Sequence, residues 1–136
     1  MLDTDVVVAG MRSPAGASAE LLRMARRGEL TLLISVPLFL EYDAKCLEDE
    51  LLVAAGLEVS DVQVFLDALI AIAKPVAMHF TWRPQLTDPA DEMVLETVIN
   101  GQADALVTFN RRDFAKVPEA FGIELLLPSE ALRKLR

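Results

Sequence analysis

The sequence contains a single cysteine, Cys46, and a single histidine, His79. One cysteine excludes a disulfide within the chain and a cysteine metal cluster, and it makes the cytoplasm the default compartment. Serine or cysteine hydrolase chemistry would depend on His79 alone, which lies in an apolar stretch without an evident motif. We therefore expect Cys46 to be a small buried apolar residue and His79 to be packed or partly exposed.

Long hydrophobic runs and aromatic residues are also scarce. No stretch approaches the roughly 18 uninterrupted apolar residues of a membrane span, and the longest candidate, LTLLISVPLFL, contains Pro37 and ends at Glu41. The first residues lack the basic region of a secretory signal. Tyr42 and Trp82 are candidates for stacking on nucleic-acid bases, although packing in the core or at its rim is the commoner role.

Basic side chains are outnumbered, with 13 Lys and Arg against 21 Asp and Glu and a net charge of −8. This balance argues against a protein coated for tight, nonspecific nucleic-acid binding. It leaves open an enzyme that handles nucleic acid through bound cations, and it suits a basic protein partner. The length of 136 residues and the 53% hydrophobic content predict one globular domain over residues 1–136.

Apolar periodicity and turn signals predict helices that alternate with strands. The predicted helices cover 17–29, 35–52, 60–73, 88–102 and 128–136, and the predicted strands cover 30–35, 76–80, 103–109 and 122–127. Ser35, Ser60 and Asp88 are the predicted N-caps. The alternation is typical of an α/β fold with a mainly parallel sheet, in which ligands bind beyond the carboxyl ends of the strands.

Acidic and polar residues stand at several of these strand ends. They are Asp3 and Asp5 at the start, Glu41, Asp88 and Asp91, and the group Asn110, Arg111, Arg112 and Asp113. Carboxylates packed without counter-charge repel one another, and a bound hard cation or a shared proton relieves the repulsion. Simpler roles compete with this interpretation: Asp88 as a helix cap, Asp91 in a capping box, and the remaining charges as solvated surface groups.

Four stretches, read in order, resemble the PIN-domain family of magnesium-dependent ribonucleases. They are LDTDVVVAGM, SVPLFLEY, WRPQLTDPADEMVLETVINGQADALVTFNRRDF and GIELLLPSEAL. The chain resembles in particular the toxin components of toxin–antitoxin systems, the VapC-like toxins. The resemblance implies a three-layer α/β/α sandwich with a mainly parallel sheet of about five strands. It also implies that VVVAGM is helical despite its β-branched residues.

The resemblance further implies a set of acidic residues that hold Mg²⁺ or Mn²⁺. Asp3, Glu41 and Asp91 are the first three acids, and Asp113 is favoured over Asn110 as the fourth. Asp5, Thr4, Thr108 and Asn110 are expected to support the acids, and Arg111 and Arg112 to contact RNA phosphates.

The implied substrate is single-stranded RNA, and the implied partners are a cognate antitoxin and a second copy of the chain. Family members have several apolar residues before the first aspartate, whereas only Met1 and Leu2 precede Asp3 here. We therefore expect either a very short central strand or a start that lies upstream.

Two alternatives remain open at this point. The start DTDVVV also fits a haloacid-dehalogenase-type phosphatase, with Asp3 as nucleophile and Asp5 as general acid, but Ser35 and Lys74 would then have to complete the site. The other alternative is a PIN-like module that binds without cutting, which Asn110 keeps open because it stands where an acid is possible.

Overall fold

The computed structural model describes residues 1–79, 86, 88–114 and 116–135. Helices surround short parallel strands in this part of the chain, which confirms the α/β class. The helices are α1 Thr4–Arg12, α2 Ala17–Arg26, α3 Val36–Cys46, α4 Asp49–Ala55, α5 Val59–Ile72, α6 Pro89–Asn100, α7 Arg111–Phe114, α8 Val117–Ala120 and α9 Pro128–Leu135. The strands are β1 Leu33–Ile34, β2 Lys74–Pro75, β3 Ala105–Val107 and β4 Glu124–Leu126.

The described strands form two two-stranded parallel sheets rather than one sheet of about five strands. β1 pairs with β2, and β3 pairs with β4. Of the described strands, the segment before α1 joins β3: the Asp3 N–H donates to the Val107 carbonyl at 2.9 Å, and the Val107 N–H donates to the Met1 carbonyl at 2.9 Å. The described backbone makes no hydrogen bond between this segment and β1. The Leu2 carbonyl accepts a hydrogen bond from the Tyr42 hydroxyl instead.

The strand expected at 76–80 lies earlier in the chain, at Lys74–Pro75. The Lys74 N–H donates to the Leu32 carbonyl at 2.7 Å, and the Val76 N–H donates to the Ile34 carbonyl at 2.8 Å. The pairing between β1 and β2 ends at Pro75, and residues 76–79 are not a strand. His79 is exposed, and position 80 lies outside the described residues.

Local capping explains where helices α3 and α5 begin. The Ser35 hydroxyl accepts from the Leu38 N–H at 3.3 Å, as its cap position predicts. The predicted helix over 35–52 is interrupted between α3 and α4. The cap of α5 is Glu58 rather than Ser60, because Glu58 and Asp61 form a reciprocal capping box that satisfies two backbone N–H groups.

Helix α1 covers the β-branched stretch, as the family resemblance implied. Val6 and Val7 are completely buried, so tertiary packing outweighs their modest helix propensity. A Cβ atom at Gly10 would lie 2.4 Å from a methyl carbon of Leu22, so glycine permits the close approach of α1 and α2.

The core lies between the helices and the strands. Cys46 is completely buried, as expected, and Tyr42 is also buried. Tyr42 therefore cannot stack on a nucleic-acid base, because its ring packs in the core. Trp82, the other stacking candidate, lies outside the described residues. None of the described helices is long and apolar enough to cross a membrane.

Candidate acidic site

The site is built on the end of β3 and the start of α1. Asp3 is the N-cap of α1 and is only 6% exposed. One of its carboxylate oxygens accepts from the Thr4 N–H at 2.8 Å, and the other accepts from the Thr108 hydroxyl at 2.7 Å. Two chain segments 105 residues apart in sequence therefore meet at this carboxylate.

Asp5 lies in the first turn of the same helix and faces the loop after β3. Its Oδ2 atom accepts from the Phe109 N–H and from the Asn110 side-chain amide, each at 3.0 Å. The Thr108 hydroxyl is 3.4 Å from the same oxygen. A hydroxyl carries one proton, and the shorter distance assigns that proton to Asp3. The loop thus braces Asp3 and Asp5 with separate donors.

Two oxygen atoms next to this brace are buried and have no hydrogen-bond partner among the described residues. They are the Oδ1 atom of Asp5 and the hydroxyl of Thr4. A buried carboxylate oxygen without a donor is costly, and a proton or a cation relieves that cost. The Asp5 Oδ1 atom therefore has capacity for a ligand of positive charge.

The electrostatics of Asp3 point in the same direction. Burial raises the pKa of Asp3 from its usual 3.8 to about 7, and the nearby charges of Asp5 and Asp91 add to the rise. The hydrogen bonds from Thr108 and Thr4 work against the rise, since they stabilise the charged form. Asp3 is thus a carboxyl group for which the ionised state is unfavourable unless positive charge is supplied.

Asp91, in the first turn of α6, belongs to the same cluster. Burial is the main reason that its pKa is raised to about 6. The charges of Asp113 and Asp88 add to the rise, and those of Asp5 and Glu41 add to it more weakly. The pKa of Asp5 is also raised, chiefly by burial and least by the charge of Asp113. The structure therefore brings the following acids within electrostatic reach of one another: Asp3, Asp5, Glu41, Asp91 and Asp113.

The chemistry of these donors fits a hard divalent cation. Carboxylate oxygens with raised pKa values and an unpartnered buried oxygen are what such an ion would neutralise. In the described part of the chain no three His, Cys, Asp or Glu side chains converge closely enough to ligate one ion together. The arrangement suits an ion such as Mg²⁺, which keeps several waters and needs only one or two carboxylates.

The remaining residues predicted from sequence occupy clear positions. Asp88 caps α6, accepting from the Ala90 N–H at 2.9 Å. Arg111 forms an exposed ion pair with Glu130 at 2.9 Å, whereas Arg112 is exposed and makes no ion pair with the described residues. Asn110 contacts Asp5 directly, while Asp113 is an exposed residue of α7 whose charge reaches Asp91 and Asp5.

Sequence reasoning did not single out two buried carboxylates on α6. Glu92 and Glu96 are each 3% exposed, and Glu92 accepts from the Leu86 N–H at 2.6 Å. Together with Asp88 they lie at four-residue intervals, so they share one side of the helix. The four-residue spacing could have indicated from sequence that these acids share one side of the helix. It was not evident because Glu92 and Glu96 lie inside a run of charged and apolar residues.

The same geometry weighs against a haloacid-dehalogenase-type site. The Ser35 hydroxyl is buried and lies 2.7 Å from the Thr97 hydroxyl, with a second contact to the Leu38 N–H. Lys74 is exposed at the start of β2 and lines a cavity of about 570 Å³ that also contains Asp104, at the amino end of β3. The Ser35 hydroxyl is thus engaged within the fold, and the described lining of the cavity beside Lys74 does not include Asp3.

The comparison with protein families agrees with the geometry. The family model of the PIN domain matches residues 1–112. The chain therefore belongs to the PIN-domain family, whose members are in general nucleases. The match includes Asp3, Glu41 and Asp91 and ends one residue before Asp113. A search of curated proteins and a search of solved structures each returned no match.

Thr108 provides a first test of how the site is held. We expect Thr108→Val to lower any cleavage activity by about 10- to 100-fold, because Asp3 loses a donor and the Asn110 N–H loses an acceptor. The substitution keeps the shape of a side chain that is completely buried. The measurement is the rate of nuclease cleavage, recorded beside a thermal unfolding curve. An active variant would show that Asp3 needs no brace.

Proposed function

We propose that this protein is a metal-dependent endoribonuclease that cleaves phosphodiester bonds of single-stranded RNA. The observation that carries the proposal is the acidic cluster at the end of β3, which contains buried Asp3 and half-buried Asp5 and Asp91. Burial raises the pKa of each of these three carboxyl groups, and nearby carboxylates add to each rise. Membership of a family of nucleases supports the same reaction.

Asp3, Glu41, Asp91 and Asp113 would hold one or two Mg²⁺ or Mn²⁺ ions. When bound, such an ion supplies positive charge that neutralises the approaching phosphate and lowers the pKa of the attacking water. Four neighbouring residues orient the acids: Thr4, Asp5, Thr108 and Asn110. Two of these contacts are direct hydrogen bonds, from the Thr108 hydroxyl to Asp3 and from the Asn110 amide to Asp5. Arg112 is free of described ion pairs and is the better placed of the two arginines for a phosphate.

Asp91 also suits proton transfer. Its half-buried position leaves the carboxylate open to solvent, and burial raises its pKa to about 6 in the metal-free protein. A carboxylate of this kind can accept the proton of the attacking water as the new bond to phosphorus forms and the bond to the leaving oxygen breaks. Asp3 is buried and hydrogen-bonded on both oxygens, so it is less accessible than Asp91 to an attacking water.

The test is cleavage of an end-labelled, single-stranded RNA by the purified chain with Mg²⁺ or Mn²⁺. We expect cleavage that EDTA abolishes and that Asp3→Asn reduces by about 100-fold or more. Asparagine preserves the helix cap, so the loss would report charge rather than folding. Cleavage that persists in EDTA would overturn the proposal.

One observation favours a second candidate, a PIN-like module that binds without cutting. Within the described residues no three potential ligands converge on one ion. Calorimetric titration with Mg²⁺ or Mn²⁺ separates the candidates, because the module would bind a cation or RNA without turnover. Metal binding together with metal-dependent cleavage would rule the module out.

We extend the proposal to biology: the enzyme acts in the cytoplasm as the toxin of a toxin–antitoxin pair, as a homodimer, and is inhibited by a small cognate antitoxin. The resemblance to VapC-like toxins supports this extension, and the charge of −8 suits an antitoxin with a basic contact. A growth assay tests it: expression should arrest cells, Asp3→Asn should not, and the product of an adjacent short reading frame should restore growth. Growth unaffected by the active protein would exclude a toxin role.

A further inference from the structure

We infer that Phe109 is a stacking platform for an unpaired base beside the acidic site, and that it thereby restricts the substrate to single strands. This inference rests on the proposed ribonuclease function and identifies the residue that selects its substrate class. Its basis is the combination of a backbone anchored to a site carboxylate and a side chain left open to solvent.

The backbone of Phe109 is held in the site itself. Its N–H donates to the Asp5 Oδ2 atom at 3.0 Å. Because an N–Cα bond is about 1.46 Å long, the Phe109 Cα lies within about 4.5 Å of that oxygen. The residues on either side are also tied to the cluster, Thr108 through Asp3 and Asn110 through Asp5. The root of the side chain is therefore fixed next to the place where a phosphate would be held.

The fold, in contrast, leaves about half of the Phe109 surface open to solvent. The residue is 49% exposed, although its neighbour Thr108 is completely buried and Phe114 on α7 is completely buried. The exposed part of this apolar ring is stabilised neither by packing nor by contact with water. An arriving base would cover the ring, and a base stacks on an aromatic face whatever its identity.

The geometry selects single strands because of what stacking requires. The faces of a base in a duplex are already covered by its neighbours, so only an unpaired base can offer a face to the ring. The anchored backbone keeps the ordering cost low, since little conformational freedom remains to be lost on binding. Phe109 would then hold one nucleotide next to the scissile bond without reading its sequence.

Phe121 provides a matched control. It is a phenylalanine of similar exposure, 42%, but it lines a cavity with Asp104 and Gly122, at the amino ends of β3 and β4. Phe109 follows the carboxyl end of β3, so the two rings lie at opposite ends of that strand. A general loss of apolar surface affects both variants, whereas a stacking role affects only one.

The experiment compares the wild type, Phe109→Ala, Phe109→Trp and Phe121→Ala. We measure kcat and KM with a short single-stranded RNA, and we measure Kd for the same RNA by fluorescence anisotropy with Ca²⁺ in place of Mg²⁺. Phe109→Ala should raise KM and Kd by about tenfold, the effect of losing one stacked base, with kcat nearly unchanged. Phe109→Trp should retain wild-type values, and Phe121→Ala should match the wild type.

A second measurement addresses the base itself. Oligonucleotides in which one base at a time is replaced by an abasic position should weaken binding at one position in the wild type and at none in Phe109→Ala. Fully duplex RNA should bind the wild type no better than it binds Phe109→Ala. Equal binding of duplex and single strands by the wild type would contradict the inference.

The outcomes separate the inference from the function on which it rests. Wild-type cleavage with unchanged KM and Kd in Phe109→Ala overturns the platform and leaves the ribonuclease standing. A fall in kcat alone also overturns it, because Phe109 would then only brace Asp5 through its backbone. If the wild type binds RNA but never cleaves it, the proposed ribonuclease function is wrong, and the binding data alone test the stacking role of Phe109. If the wild type does not bind RNA, both the ribonuclease function and the stacking role of Phe109 are wrong.

Discussion

Replacing Asp91 with asparagine is expected to reduce metal-dependent RNA cleavage by about 100-fold or more. Asp91 is the half-buried acid on α6 whose pKa of about 6 reflects burial and the charges of Asp113 and Asp88. Asparagine keeps the size of the side chain but removes the negative charge that would hold the cation and the site that would accept a proton. The measurement is kcat/KM with a labelled single-stranded RNA over a series of Mg²⁺ concentrations.

The control for Asp91→Asn is Asp67→Asn, which makes the same chemical change on α5. Asp67 is exposed and is not among the charges that raise the pKa values of the site. We expect Asp67→Asn to cleave RNA at the wild-type rate. If both variants keep wild-type activity while the wild type depends on metal, then the cation is held elsewhere and the role of Asp91 is wrong.

Replacing Asp3 with asparagine is expected to make the metal-free protein more stable above neutral pH. The rise of the Asp3 pKa from 3.8 to about 7 means that burial opposes the charged form. At about 1.36 kcal/mol for each pH unit, the cost of keeping Asp3 ionised is up to about 4 kcal/mol. Asparagine avoids that cost. Its side-chain oxygen can still cap α1, and its amide can donate to the Thr108 hydroxyl.

The sign of the pH dependence follows from proton linkage. Between its unfolded pKa near 3.8 and its folded pKa of about 7, Asp3 holds a proton in the folded state and has lost it in the unfolded state. The free energy of unfolding of the wild type therefore falls as the pH rises through this window. The advantage of Asp3→Asn should be absent near about pH 4 and complete by about pH 8.

Urea unfolding in the presence of EDTA measures this difference at several pH values. The difference between the two proteins is the quantity to follow, because other groups titrate in both; the buried Met1 amino group is one, since burial lowers its pKa to about 6. Asp67→Asn again serves as the control and should show no pH-dependent gain. A variant that is less stable than the wild type at about pH 8 would contradict the burial argument.

The expected effects of Asp3→Asn on activity and on stability oppose each other in a way that is typical of functional sites. The charge at Asp3 is expected to be needed for activity while it destabilises the metal-free fold, so the site is held at the expense of stability. A bound cation would remove the conflict by neutralising the buried charge. Added Mg²⁺ or Mn²⁺ should therefore stabilise the wild type and have little effect on Asp3→Asn.

The sequence was sufficient for the class of the fold and for several of its boundaries. The periodicity of α2 and α6 and the caps at Ser35 and Asp88 depend on neighbours a few residues away, so local patterns predict them. The family resemblance predicted the helix over VVVAGM, where local propensity favoured a strand. The length of the strands, the cap at Glu58 and the end of β2 were not predictable, because pairing partners distant in the chain decide them.

The positions of the acids in sequence identified which residues to consider, since carboxylates after parallel strands point to one edge of the fold. Sequence alone could not show that Thr108 would bridge to Asp3 or that Asn110 would donate to Asp5, because these contacts join segments more than 100 residues apart. Nor could it separate buried Tyr42 from exposed Phe109, since both are aromatic residues near predicted site positions. Burial depends on the packing of the whole chain, and therefore only the tertiary structure decided which acids are costly to ionise and which ring is left exposed.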